Sequence, residues 1–121
     1  MAVIGYMDGT DPMLLSKLVA MGHETIPIGN GLDNHGKYLR LLTSADGIDI
    51  LVGCLHKFVP TKKHGLTSVD IMLNCHTHRI NTIVLAPREF IDKARSALGN
   101  VVDFVTVITP EAALDKILEF C

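Results

Sequence analysis

The run Asp49-Ile50-Leu51-Val52-Gly53-Cys54-Leu55-His56-Lys57 carries an apolar segment straight into a thiol, an imidazole and an ammonium, and a second basic cluster, Lys62-Lys63-His64, follows. Ligands of parallel sheets collect just outside the carboxyl ends of the strands. His56 there suits proton transfer, and Cys54, with Lys57 and His56 nearby, could have a lowered pKa and act as a nucleophile. Strand alternation could equally turn Cys54 into the core.

The stretch from Cys54 to Leu66 is long for a strand-to-helix connection, and long ordered loops are disproportionately functional. Lys57, Lys62, Lys63 and His64 supply positive charge, Gly65 permits close backbone approach, and Thr67 and Ser68 offer to open a helix whose N–H groups favour an anion. A phosphate or carboxylate is the expected guest. The plainer reading makes Lys62 and Lys63 a solvated edge, and no G-x-x-x-x-G-K-[ST] loop is present.

Asp8, Thr10 and Asp11 follow the first apolar segment and bring carboxylates and a hydroxyl that could orient a ligand. Asp8 next to Gly9 also suits an ordinary turn, and Asp11 before Pro12 suits a helix cap. Asn30, in Gly29-Asn30-Gly31, could face the same crevice or simply turn the chain. Arg88, after Pro87, could add a fork of donors.

Cys75-His76-Thr77-His78 together with Cys54-x-His56 invites a zinc reading. The two groups belong at opposite edges of the sheet, however, because one follows a strand and the other closes the helix before the next. Cys75 and His78, three apart, could form half a site across a subunit contact. The alternative is a buried Cys at a helix end, with His76, His78 and Arg79 set against the negative end of the helix dipole. That alternative is preferred, and no metal ligand is assigned.

The elements that must position these residues alternate between apolar runs and helical patterns, the signature of βαβ units. Strands are expected at Val3 to Met7, Glu24 to Ile28, Ile48 to Gly53, Thr82 to Ala86 and Asp103 to Ile108. Asp11-Pro12 and Thr109-Pro110 each pair a capping side chain with Pro at the first helical position. Asp33 is expected to cap a helix carrying Tyr38, Leu39 and Leu42, and Thr67 or Ser68 one carrying Val69, Met72 and Leu73. A further helix runs from about Glu89 to Leu98 and stops at Gly99. The expected product is a single α/β domain over 1–121, a three-layer α/β/α sandwich on a five-stranded, mostly parallel sheet of flavodoxin-like, Rossmann-like order 2-1-3-4-5. In that order the Asp8–Asp11 loop faces the loop that starts at Cys54.

The chain is 48% hydrophobic, carries a formal net charge of −2, and has no Trp. Neither charge nor aromatics favour nucleic acid, and the apolar runs fall short of the roughly 20 residues of a membrane span. Three cysteines without a regular spacing suit reduced thiols, and the opening residues lack the pattern of an export signal, so a cytoplasmic protein is expected.

The segment from Gly47-Ile48-Asp49 through His64 and on to Cys75-His76-Thr77-His78-Arg79-Ile80-Asn81 resembles the second half of methylglyoxal-synthase-like domains, and the resemblance implies a phosphorylated small ligand. The first half departs from their pattern: Gly29-Asn30-Gly31-Leu32-Asp33 stands in place of a Thr-rich phosphate loop, and no residue role is carried over. The resulting expectation is a domain that binds a small anionic molecule at the sheet edge, with Asp8, Cys54 and His56 as the residues for chemistry. An oligomeric interaction domain and a His/Cys metal domain are the alternatives. No G-x-G-x-x-G supports a dinucleotide, and the cofactor is left unassigned.

Overall fold

A computed structural model describes residues 2–30, 36–59, 72 and 75–121. Val3–Met7 (β1), Glu24–Gly29 (β2), Lys37–Tyr38 (β3), Ile50–Cys54 (β4), Asn81–Leu85 (β5) and Val105–Ile108 (β6) form one sheet. Every neighbouring pair is parallel, and the order is β3-β2-β1-β4-β5-β6. Helices cover both sides.

Near-continuous apolar strands account for this layering, because a strand sandwiched between helices buries both of its faces. In β4, Ile50, Leu51, Val52 and Gly53 are all buried. Ile50 and Val52 pack with Ile4 and Ile83 against Leu14 and Leu18 of α1 (Pro12–Ala20) and Ala113 and Ile117 of the C-terminal helix, Ala113–Phe120. Leu51 and Val84 face the other way, toward Phe58, Ala94 and Leu98. Phe58 ends the short helix α2, Leu55–Phe58, and the other two lie on α3, Ile91–Leu98. The C-terminal helix is therefore α4. Each of the buried Val, Leu, Ile and Phe side chains contributes roughly 1.5–3 kcal/mol by leaving water.

The expected cap of α1 is present. Asp11 accepts from the Met13 N–H at 2.9 Å, and Pro12 occupies the first turn. At the other end Gly22 stands at φ +93 while the His23 N–H reaches back to the Leu18 carbonyl at 3.1 Å. Gly99, at φ +64, likewise closes α3.

Three expectations need correction. The sheet has six strands rather than five: the five expected strands keep the relative order 2-1-3-4-5, and an unexpected strand, β3, is added outside the second. Tyr38 belongs to the added edge strand, and Leu39–Leu41 form a 3-10 turn rather than the body of a helix. Gly36 causes this: at φ +73, a Cβ there would collide with the Pro27 carbonyl, so only glycine lets the chain pass close enough for Lys37 to pair with Ile28. Second, β6 begins at Val105 because Gly99–Phe104 wind as 3-10 turns around buried Val101. Third, Thr109 makes no capping bond with its side chain, and a Pro110–Ala112 turn precedes α4.

The expected caps Asp33, Thr67 and Ser68 lie outside the described residues. What survives unchanged is the placement of β1 between β2 and β4, which decides where the chemistry-bearing residues meet.

Candidate functional site

Beyond Met7, β1 turns sharply through Asp8 and Gly9, with Gly9 at φ +86. Thr10 closes the turn: its N–H and its hydroxyl both donate to the Met7 carbonyl, at 3.3 and 2.7 Å. Next to it, β4 ends at Cys54 and passes directly into α2, which the fully buried Phe58 anchors against the sheet. Anchored in this way, α2 holds Leu55, His56 and Lys57 above the β1 turn.

Three contacts join the two segments. Lys57 Nζ lies 3.5 Å from Asp8 Oδ2, with the lysine side chain 16% exposed and the aspartate 51%. The Cys54 thiol points at the Gly9 carbonyl from 3.9 Å. His56 Cε1 stands 3.8 Å from where a Cβ on Gly9 would sit, so the exposed imidazole lies directly beside the turn. A fourth contact comes from just past β2, where the buried Asn30 donates from Nδ2 to the Lys57 carbonyl at 3.1 Å.

Asp8, Asn30, Cys54, His56 and Lys57 thus converge on the carboxyl ends of β1, β2 and β4. The surroundings of Thr10, Asn30 and Cys54 bear on the roles the sequence suggested for them. Thr10 is buried and donates its hydroxyl to the backbone, so it shapes the turn rather than facing a ligand. Asn30 acts as a strut between β2 and α2. Cys54 does not gain thiolate character: burial pushes its pKa up, opposing nucleophilic use. Lys57 does not reverse this, because its ammonium is directed at Asp8.

Arg88 opens the exposed 3-10 turn after β5, one strand further along, and no hydrogen bond or ion pair among the described residues ties it to Asp8 or Lys57. Lys62, Lys63, His64, Thr67 and Ser68 lie outside the described residues.

The Cys and His residues near position 75 lie at the other end of the sheet, before Asn81 begins β5. Cys75 is buried, and that burial pushes its thiol up to about 12, whereas His78 pairs its Nδ1 with the Ser44 hydroxyl at 3.1 Å. A buried thiol held protonated is poorly suited to ligate a metal, which argues against half a metal site at Cys75 and His78. Among the described residues no group of three or more His, Cys, Asp or Glu could hold a metal ion.

Two features escaped the sequence reading. The strut from Asn30 to Lys57 joins positions far apart in sequence, and only the Gly-flanked Asn hinted at it. The Arg79 backbone stands at φ +56, and the signal available for that was a helix ending with no glycine to end it.

Comparison with models of protein families, with curated proteins and with solved structures finds no match to this chain. The partial likeness to methylglyoxal-synthase-like domains therefore gains no support from these comparisons.

Proposed function

We propose that this domain binds a small anionic molecule, a phosphorylated or carboxylated metabolite, at the carboxyl edge of its sheet between β1 and β4. The observation that carries this reading is the approach of Lys57 to Asp8 across the two strand ends, with His56 alongside. β1 has β2 on one side and β4 on the other, so the chain's winding reverses there, and crevices form where open α/β sheets reverse.

At 3.5 Å the Asp8–Lys57 pair is longer than a good charge-assisted hydrogen bond, and pairs with one exposed partner contribute about 0–1 kcal/mol. An incoming anion can therefore compete with Asp8 for the ammonium. Displaced from Lys57, the Asp8 carboxylate would stand with His56 beside the ligand, and a carboxylate and an imidazole on facing segments suit proton transfer. Cys54 serves in its protonated form, as a weak donor to the Gly9 carbonyl. Beyond α2 the sequence continues to Lys62, Lys63 and His64, which lie outside the described residues. The partner in this reading is a small molecule.

Calorimetric titration with inorganic phosphate, a sugar phosphate and a dicarboxylate tests the reading. Binding by at least one of them, weakened about tenfold or more in Lys57→Met, supports it. Absence of binding by all three, or equal affinity in the variant, rules it out.

A further inference from the structure

A recess of about 720 Å³ opens at the opposite edge of the sheet, where β5 and β6 begin. Its volume lies within the range of about 300–1,000 Å³ typical of small-molecule sites. None of the residues assigned above to ligand or chemistry lines it.

Cys75, His76 and Thr77 are helical, and the segment closes with the Ile80 N–H on the Cys75 carbonyl at 2.9 Å and the Arg79 N–H on the His76 carbonyl at 3.2 Å. This closure normally places glycine at the left-handed position. Here Arg79 occupies it, at φ +56. The exposed Arg79 lines the recess and also a second hollow of about 430 Å³ beside it, so it stands in the wall between the two. Among the described residues no hydrogen bond or ion pair engages its guanidinium.

The recess also has an aromatic wall. His76 stacks on Phe104 with ring centroids 3.8 Å apart and 23° between the planes, yet Phe104 remains 49% exposed. Phe120 from α4 lines the same space, and Asn81 adds an exposed amide at the start of β5. Among the described residues, the donors of Arg79, His76 and Asn81 outnumber the one carboxylate, that of Asp103. Asp103 disfavours densely charged guests such as triphosphates and can accept from a ring N–H.

We propose that this recess binds a planar aromatic molecule bearing one anionic group, with the ring against the His76–Phe104 stack and the anionic group on Arg79. Guanidinium forks match carboxylate and phosphate geometry, and offset stacking suits a flat ring. Aromatic carboxylates and nucleoside monophosphates share this chemistry. The site is independent of the Asp8–Lys57 edge, and either can exist without the other.

NMR titration of the full chain with benzoate, with adenosine monophosphate and with inorganic phosphate tests the proposal. With benzoate or the nucleotide, the amides of residues 76–81 and 103–106 should shift, and the tighter of the two assigns the source of the ligand. Read at those recess amides, phosphate alone should bind more weakly than the tighter ring compound. Arg79→Gly should weaken binding about tenfold or more while raising Tm, because glycine suits the left-handed backbone. Arg79→Gln should show a similar loss of binding without the gain in Tm. Overturning results are an absence of shifts with both ring compounds, shifts confined to residues 8–10 and 54–57, a phosphate affinity read at residues 76–81 and 103–106 equal to that of the tighter ring compound, or undiminished binding by both Arg79 variants.

Discussion

Lys57, in α2, and Asp8, in the turn after β1, stand 3.5 Å apart, and the lysine side chain is the more buried of the two. The pair links α2 to the β1 turn, while Asn30 holds the Lys57 backbone from the other side. Removing one partner should therefore cost little stability and change the local charge. In a double-mutant cycle with Asp8→Asn and Lys57→Met, urea denaturation should give a coupling energy of about 1 kcal/mol or less. A coupling of several kcal/mol would mean that the pair is structural cement and unavailable to a ligand.

Gly53 sets how closely β4 and α2 approach Met7. A Cβ there would collide with the Met7 side chain, lying 2.7 Å from its Cβ, and would stand 3.0 Å from Phe58 Cε2. Both residues are fully buried, so neither can swing aside. Gly53→Ala should lower the unfolding free energy by about 1–3 kcal/mol, measured by urea denaturation, and Gly53→Val by more. Unchanged stability in both would show that this part of the core is looser than described.

Much of this arrangement was legible in the sequence, and the reasons are physical. Asp11-Pro12 announced α1 because a cap and a proline act locally. The run from Ile50 to Val52 announced a central strand because burial on both faces demands an unbroken apolar run. The added strand at Lys37–Tyr38 was hidden because it depends on how closely Gly36 approaches Pro27, a long-range condition with no local signature. The sequence left Cys54 between activation and packing for a related reason: it places Lys57 near the thiol, but only the fold shows the thiol half-buried, with its pKa raised, and the ammonium 3.5 Å from Asp8.

The Cys75 thiol makes stability depend on alkaline pH. In the unfolded chain it ionises near its ordinary value of 9.0, whereas burial in the native protein pushes it up to about 12. Between those values the unfolded state has released a proton that the native state keeps. Stability therefore falls as pH rises from 9, by at most about 1.4 kcal/mol per pH unit from this group, with no such effect at lower pH. Cys75→Ala should flatten that decline in urea titrations between pH 9 and 11, relative to its own stability at pH 8. Identical slopes in the two proteins would contradict the assignment.

The three thiols should also differ in reactivity. Cys121 is exposed, Cys54 is half-buried with its pKa raised, and Cys75 is buried. Alkylation of native protein at pH 8, followed by peptide mass analysis, should label Cys121 first, Cys54 more slowly and Cys75 only on unfolding. Faster labelling of Cys54 than of Cys121 would restore the nucleophile reading that burial argues against.

The most direct test of the central claim is an NMR titration of the intact chain with inorganic phosphate, following the backbone amides at the ends of β1 and β4. Asp8, Gly9 and Thr10 should shift together with Leu55, His56 and Lys57 along a single saturable curve, and Lys57→Met should weaken that binding about tenfold or more. Saturable binding that leaves all six amides unmoved, or the same curve in Lys57→Met, would contradict that claim.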